Sequence, residues 1–538
     1  MSPILDVLII NGRIIDGTGN PWFEADIGIS NGKIHEIGKL KGSKADEVID
    51  AHKLAVCPGF IDIHTHSDLT LLANPKAESK VRQGVTTEAV GNCGFSAAPI
   101  RKHALENVKT FVQWMTCGAE IDFDWLTLSE YLNRLKSAGI SVNVAAFAGH
   151  GTLRINAMGF ENRPAADDEM KEMRRLLTEA LKEGAFGMSS GLGYSPACSA
   201  GTDELVELCR VVTKYNGIYT THIRDEGDKI IQAAMEAVEI GRRAGVPVEI
   251  NHYKPEGRTN WGKVGECVNV IDSSRQGGVD VTYDVYPYVA GEAPITHICF
   301  IPSWAQEGGK EKLIERLKDP QVRERIKEES KQESWKDCIL KIATWDDCLI
   351  SFCNKSKNLQ GKTIAEIARD RKVEPYDALF DLAVAETGAV NMCVFAMNEE
   401  VISSMIKNPA ALVASDGMSF APYGILGQAR PHPRYYGTFV RVLGKYVRQD
   451  GVLAFQDAIR KMTSLPAQKL GLRDRGLIKE DFHADIVILD PETVVDKATF
   501  TDPHQYAEGV EHVLVNGKIV IDKGKHTGKR AGQVLRKT

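Results

Sequence analysis

Between about Pro58 and Leu470 the chain alternates short β-rich runs with helical segments, and eight such runs can be counted. They are residues 59–66 (GFIDIHTH), 85–94 (VTTEAVGNCG), 142–150 (VNVAAFAGH), 185–192 (AFGMSSGL), 218–226 (IYTTHIRDE), 247–254 (PVEINHYK), 279–288 (VDVTYDVYPY) and 412–417 (LVASDG). Segments such as 203–215 (DELVELCRVVTKY) and 229–245 (KIIQAAMEAVEIGRRAG) lie between them, the latter with alanines and apolar residues at helical spacing. Mostly apolar strands are buried on both faces, and strand–helix alternation of this length predicts an α/β fold, a (β/α)8 TIM barrel. The barrel constrains function as well, because its active sites lie at the C-terminal ends of the strands.

At 538 residues the chain is too long for one compact core. Three β-rich segments at its ends carry Asn-Gly: Asn11-Gly12, Asn31-Gly32 and Asn516-Gly517. Asn-Gly tolerates the positive φ angles of a type I′ turn, so each reads as a tight hairpin. With the run 484–490 (ADIVILD), they suggest a small β-sandwich built from both termini, with two unrelated β appendages as the alternative. The expected division is 1–57 and 476–538 for the sandwich and 58–475 for the barrel. An inserted subdomain at about 291–372, too long for a βα loop and rich in charged helix signals, interrupts the barrel.

The ends of the barrel runs are rich in metal-binding side chains. Run 1 ends in His64-Thr65-His66, run 2 in Cys93, run 5 in His222, run 6 in His252 and run 8 in Asp416. In an extended strand residues i and i+2 face the same way, so His64 and His66 can both point inward. Singly, each has a plain structural reading: a core histidine, an inert buried cysteine, a capping aspartate. Imidazole, thiolate and carboxylate converging on one rim instead match zinc-type ligation.

The formal net charge of −6 gives no electrostatic footprint for nucleic acid or a membrane surface. No apolar stretch reaches the ~20 residues needed to cross a bilayer. The start, MSPILDVLIINGR, lacks the basic and apolar regions of a secretory signal, and 11 dispersed cysteines without a C-x-x-C pair suit a reducing compartment, so a cytoplasmic location is expected.

PGFIDIHTHSD (58–68) resembles the first-strand H-x-H motif of the amidohydrolase superfamily, and the later histidines, the strand-8 aspartate and the shared terminal β-structure follow that superfamily's order. Many binuclear members carry a carbamylated lysine on strand 4, yet AFGMSSGLGY contains none. GNCGFS (91–96) instead resembles the N-acyl-D-amino-acid deacylases (D-aminoacylases), in which a strand-2 cysteine bridges. GHGTLR (149–154), THIRDE (221–226), NHYKP (251–255), DVYPY (284–288), ASDG (414–417) and HPR (432–434) are similar to segments of that family too.

The resemblance implies zinc-dependent hydrolysis of N-acyl-D-amino acids to a carboxylate and a free D-amino acid. Cys93, His222 and His252 would hold a tight metal, and His64, His66, Cys93 and Asp416 a weaker second site; one metal or two is left open. Zinc lowers the pKa of its water toward ~7, and Asp416 would shuttle the proton to the leaving nitrogen. The substrate carboxylate would be met by Lys254, Arg434, Tyr194 and Tyr288, with Tyr286 competing for the last role. His150 is a candidate for polarising the acyl oxygen, with a loop-shaping hydrogen-bonding role as its alternative, and Arg224 and Glu226 are candidates for orienting the ligands. Another amidohydrolase reaction, on a cyclic amide or a dipeptide, is the alternative. The preferred D-side chain and the oligomeric state are left open.

Overall fold

The computed structural model describes residues 5–295, 301–332 and 339–537. Eight parallel strands follow one another in chain order: Phe60–Asp62, Val85–Val90, Asn143–Ala146, Gly187–Gly191, Ile218–His222, Val248–Ile250, Val281–Val285 and Ala411–Val413. The third resumes after Phe147 as Ala148–Gly149, which pairs with the fourth. The ring closes where Thr65 bridges Gly417, with the Asp416 N–H donating to the His64 carbonyl and the His66 N–H to the Gly417 carbonyl, both at 2.9 Å. Ile61, Ile63, Ala89, Ala145, Phe147, Phe186, Ile218, Leu412 and Ala414 pack in one cluster, the filled interior of such a barrel. Helices such as Thr202–Thr213 and Ile230–Ala244 pack side by side between successive strands and bury their apolar faces.

Both termini share one nine-stranded sheet, joined where Ala55–Pro58 pairs antiparallel with Ile486–Leu489. Ile9, Ile27, Ile34, Val56, Ile486, Ile488 and Leu514 from both ends form its common core. Asn31-Gly32 and Asn516-Gly517 are hairpin turns, with φ of 52° and 78° and of 48° and 74°. Asn11-Gly12 is not a turn. The strand Leu5–Ile14 runs straight through it, and the positive φ of Asn11 (59°) serves a bulge in the pairing with Phe23–Ser30. Asp26 accepts from the Asn11 N–H at 2.9 Å, and a Cβ on Gly12 would come 2.8 Å from Val56 Cγ2, so local packing claims both residues.

The segment after the seventh barrel strand forms a three-stranded antiparallel sheet of Gly291–Pro294, Cys348–Cys353 and Val390–Val394. Its core includes Ile350, Ile367, Leu379, Phe380 and Met392. The unit therefore runs past the expected end at Lys372, because helix Pro375–Ala385 and strand Val390–Val394 belong to the same core.

Candidate active site

The barrel brings all six expected donor residues to one place. His64 Nε2 lies 3.2 Å from Cys93 Sγ and 3.3 Å from Asp416 Oδ1, and His66 Nε2 lies 3.1 Å from the same oxygen. His252 Nε2 is 3.7 Å from Cys93 Sγ and 3.0 Å from His222 Nδ1. The ligand atoms form overlapping groups, each within 4.8 Å: His64, Cys93 and His252; His64, His66 and Asp416; His222, Glu226 and His252.

Three of these residues sit in left-handed backbone: Cys93 (φ 51°), His252 (φ 37°) and Asp416 (φ 47°). For non-glycine residues this costs about 1–3 kcal/mol each and persists only where surroundings enforce it. Asp416 is held by its N–H bond to His64, and His252 by its N–H bond to Asp284 Oδ1 at 2.8 Å. Each turn aims a side chain from a strand end back over the barrel mouth.

Carboxylates behind the rings set their orientation. Glu226 Oε1 lies 2.7 Å from His252 Nδ1, and Asp284 Oδ2 lies 3.1 Å from His64 Nδ1, with the Asn251 amide at 2.8 Å from the same nitrogen. At His252 the carboxylate on Nδ1 keeps the proton there and leaves the Nε2 lone pair facing the cluster. Glu226 is thus the ligand support expected of it. Arg224 turns instead to Glu236, at 3.0 Å from both oxygens. Asp284 was missed as a support, although it stands in the DVYPY segment, one position before the end of the strand Val281–Val285.

The electrostatics suit a bound cation. Burial pushes His222 down to about 3 and His252 well below the usual imidazole range, so both present lone pairs at neutral pH. Burial also pushes the Cys93 thiol up to about 11, opposed by His64, so a nearby cation is needed to make it a thiolate. Asp416 is held well below the carboxylate range: burial opposes ionisation, but Arg434, His64 and the His66 hydrogen bond outweigh it. Burial also lowers His66, whereas at His64 burial is outweighed by Asp284, Cys93 and Asp416, which raise it well above the imidazole range, so a bound cation would have to displace its proton. Imidazoles, a buried thiol and an ionised carboxylate in overlapping groups are the donor set of a zinc-type ion.

The cluster floors a cleft lined by Phe95, Trp114, Tyr194, Tyr286 and, from the inserted unit, Ala293, Pro294, Ile339 and Ile342. Tyr194 borders the cleft, stacked on Phe95 and edge-on to His222, with its hydroxyl bonded to the Cys93 carbonyl. Tyr286, not Tyr288, lines the cleft. Tyr288 packs on His432 at 5.3 Å and under Arg441 at 4.8 Å, because the strand ends at Val285 and strict alternation ends with it. Lys254 and Arg434 flank the Tyr286 ring at 4.3 and 4.7 Å, buried one layer behind the wall. Arg434 Nη1 pairs with Asp416 Oδ2 at 2.8 Å, while its Nε has no hydrogen-bond partner among the described residues. His150 is absent from the site. It starts the helix His150–Met158, and its Nε2 meets Glu204 at 2.8 Å beside Arg154.

Fold and site together define a barrel hydrolase of the metal-dependent type. Residues 47–321 and 402–521 match the profile of the Amidohydrolase family. The chain is 36% identical to a D-aminoacylase of Alcaligenes xylosoxydans xylosoxydans, covering 100% of this chain and 99% of that protein. It is 35% identical to an N-acyl-D-aspartate deacylase of the same organism, covering 98% and 95%. The structure of an N-acyl-D-glutamate deacylase from Bordetella bronchiseptica, complexed with zinc and a phosphonate mimic of the tetrahedral intermediate, superposes with a TM-score of 0.82 at 33% identity, covering 99% and 100%. The chain belongs to the amidohydrolase family and, within it, to the D-aminoacylases, the N-acyl-D-amino-acid deacylases.

Proposed function

We propose that this protein hydrolyses the amide bond of N-acyl-D-amino acids to a carboxylate and a free D-amino acid. The observation that carries the reading is the thiol–imidazole–carboxylate cluster at the cleft floor, with Asp416 between His66 and Arg434. Cys93, His222 and His252 would hold a tightly bound zinc, and His64, His66, Cys93 and Asp416 a second, weaker ion. When bound, zinc supplies Lewis acidity toward oxygen, easing both water deprotonation and charge build-up on the amide oxygen. Asp416 takes the proton from the attacking water and delivers it to the departing nitrogen. The Tyr286 hydroxyl at the cleft wall receives the substrate carboxylate. Lys254 and Arg434, behind its ring at 4.3 and 4.7 Å, supply the positive charge that holds the anion there and places the amide beside Asp416. Tyr194 shapes the opposite wall.

Paired N-acetyl-D- and N-acetyl-L-amino acids, acidic and apolar, should be assayed with protein whose metal content is measured by mass spectrometry. D-selective turnover, lost on chelation and restored by zinc, is the expected result. Preference for L substrates or for a cyclic amide, or full turnover by metal-free protein, would overturn it.

The carboxylate assignment has its own test. Tyr286→Phe is expected to raise KM about tenfold or more, since a hydrogen bond to a charged group is worth ~1.5–3 kcal/mol. Tyr288→Phe should leave KM nearly unchanged, and steady-state kinetics showing the reverse pattern would exchange the two roles.

A further inference from the structure

We propose that Lys80 is a positioning residue for Asp416, acting from behind the barrel wall. The inference rests on the reading of Asp416 as the proton-transferring group. Lys80 lies on the short helix Glu78–Val81 and is fully buried. Its ammonium donates to Asp62 Oδ2 at 2.8 Å and to Ser415 Oγ at 2.5 Å, with Glu88 Oε2 at 3.9 Å. None of these groups borders the cleft. Asp62 and Glu88 alternate on their strands with Ile61 and Ala89 of the barrel interior, and Lys80 reaches Asp62 and Ser415 from its own helix, so the network lies on the helix side of the wall. The first strand ends at Asp62, and the alternation ends with it before His64.

This network grips the chain on both sides of Asp416. Before it, the Ser415 N–H donates to Asp62 Oδ1 at 2.9 Å, and Ser415 Oγ accepts from Lys80 and from the Gly417 N–H at 3.0 Å. After it, the Ser419 N–H donates to Ser67 Oγ at 2.9 Å, while Ser67 and Ser419 donate to the two oxygens of Glu88 at 2.5 and 2.8 Å. Asp62, the last residue of the first strand, and Ser67 flank the His64–His66 pair in sequence. Lys80 thus ties the H-x-H strand and the Asp416 segment to one charged post.

The strained backbone of Asp416 (φ 47°) requires such over-determination. A methionine at position 80 would fill similar space without the desolvation that a buried ammonium demands. It could not hold Asp62 and Ser415 at once. The strap therefore supplies geometry: Asp416 must meet the water and the leaving nitrogen in one orientation, and a displacement near 1 Å can cost about 10²-fold in rate.

The test uses the zinc-loaded full-length protein and its best N-acetyl-D-amino acid substrate. The double variant Lys80→Met/Asp62→Asn removes the ammonium and its nearest carboxylate together, and leaves Glu88 held by the Ser67 and Ser419 hydroxyls. Circular dichroism, melting temperature, zinc content, kcat and KM are measured beside those of Asp416→Asn. The expected result is a folded, zinc-replete protein with near-native KM and kcat lowered about 10–100-fold. Unchanged kcat in the double variant, with Asp416→Asn inactive, overturns the proposal for Lys80 alone. Full activity of Asp416→Asn removes the underlying reading instead. Parallel loss of zinc, KM and melting temperature would make Lys80 a general structural support and likewise overturn it. If the double variant does not fold, Ser415→Ala, which leaves the Lys80–Asp62 pair intact, decides the matter: a several-fold fall in kcat at constant KM supports the strap, and native kcat overturns it.

Discussion

Asparagine in place of Asp416 is expected to lower kcat by roughly 10²–10⁴-fold, the range of a positioned proton-transfer group. The substitution preserves shape, so the loss reports chemistry. In the native site one carboxylate oxygen serves His64 and His66, and the other pairs with Arg434. An amide oxygen can keep one of these contacts, but it cannot take a proton from water and hand it to nitrogen. A second consequence follows at Arg434, which is 2% exposed and would lose its counter-ion. Breaking a buried pair from one side typically costs ~3–5 kcal/mol, so the melting temperature should fall. A carboxylate ligand that reaches the guanidinium should restore part of that stability. Steady-state kinetics and thermal melts with and without product decide both points, and native turnover would remove Asp416 from the chemistry.

What could be read from the sequence depended on whether it obeyed a local period. His64, Cys93, His222, His252 and Asp416 were legible because each stands at the end of a recognisable strand run, and a parallel barrel puts those ends on one rim. Their mutual distances follow from topology that strand order alone specifies. Tyr286 and Tyr288 were not separable, since alternation holds only inside a strand and this one stops at Val285. Asn11-Gly12 carried a true signal for positive φ, but φ alone does not distinguish a bulge from a turn; the neighbours Asp26 and Val56 do, and they are remote in sequence.

Charged partners were least legible. Lys80 meets Ser415 across 335 positions, and Asp284 meets His64 across 220. No periodicity announces such pairs, because a buried lysine and a surface lysine look alike in sequence. The inserted unit hid its boundary for a related reason. Helix Pro375–Ala385 resembles a barrel helix in composition, and only its place in one core with Met392 and Ile350 assigns it elsewhere.

Loss of metal is the expected result of Cys93→Ala. The Cys93 thiol lies 3.2 Å from His64 and 3.7 Å from His252, the histidines of the two proposed metal positions, so it is the donor they share. Altering a group that merely orients a ligand costs about 10–100-fold in metal affinity, and removing a ligand should cost more. The variant should therefore be purified with little zinc and stay inactive at zinc concentrations that saturate the native protein. Folding should survive, because alanine at φ 51° carries much the same backbone strain as cysteine and leaves only a sulfur-sized gap. His66→Ala is the contrasting case: it touches only the group formed with His64 and Asp416, so the tight metal should remain. Metal analysis of the two variants side by side separates shared from single-site ligation. Native zinc content and turnover in Cys93→Ala would show that the thiol is a spectator, and the site would have to be rebuilt from imidazoles and carboxylates, with Glu226 drawn in from its present place behind His252.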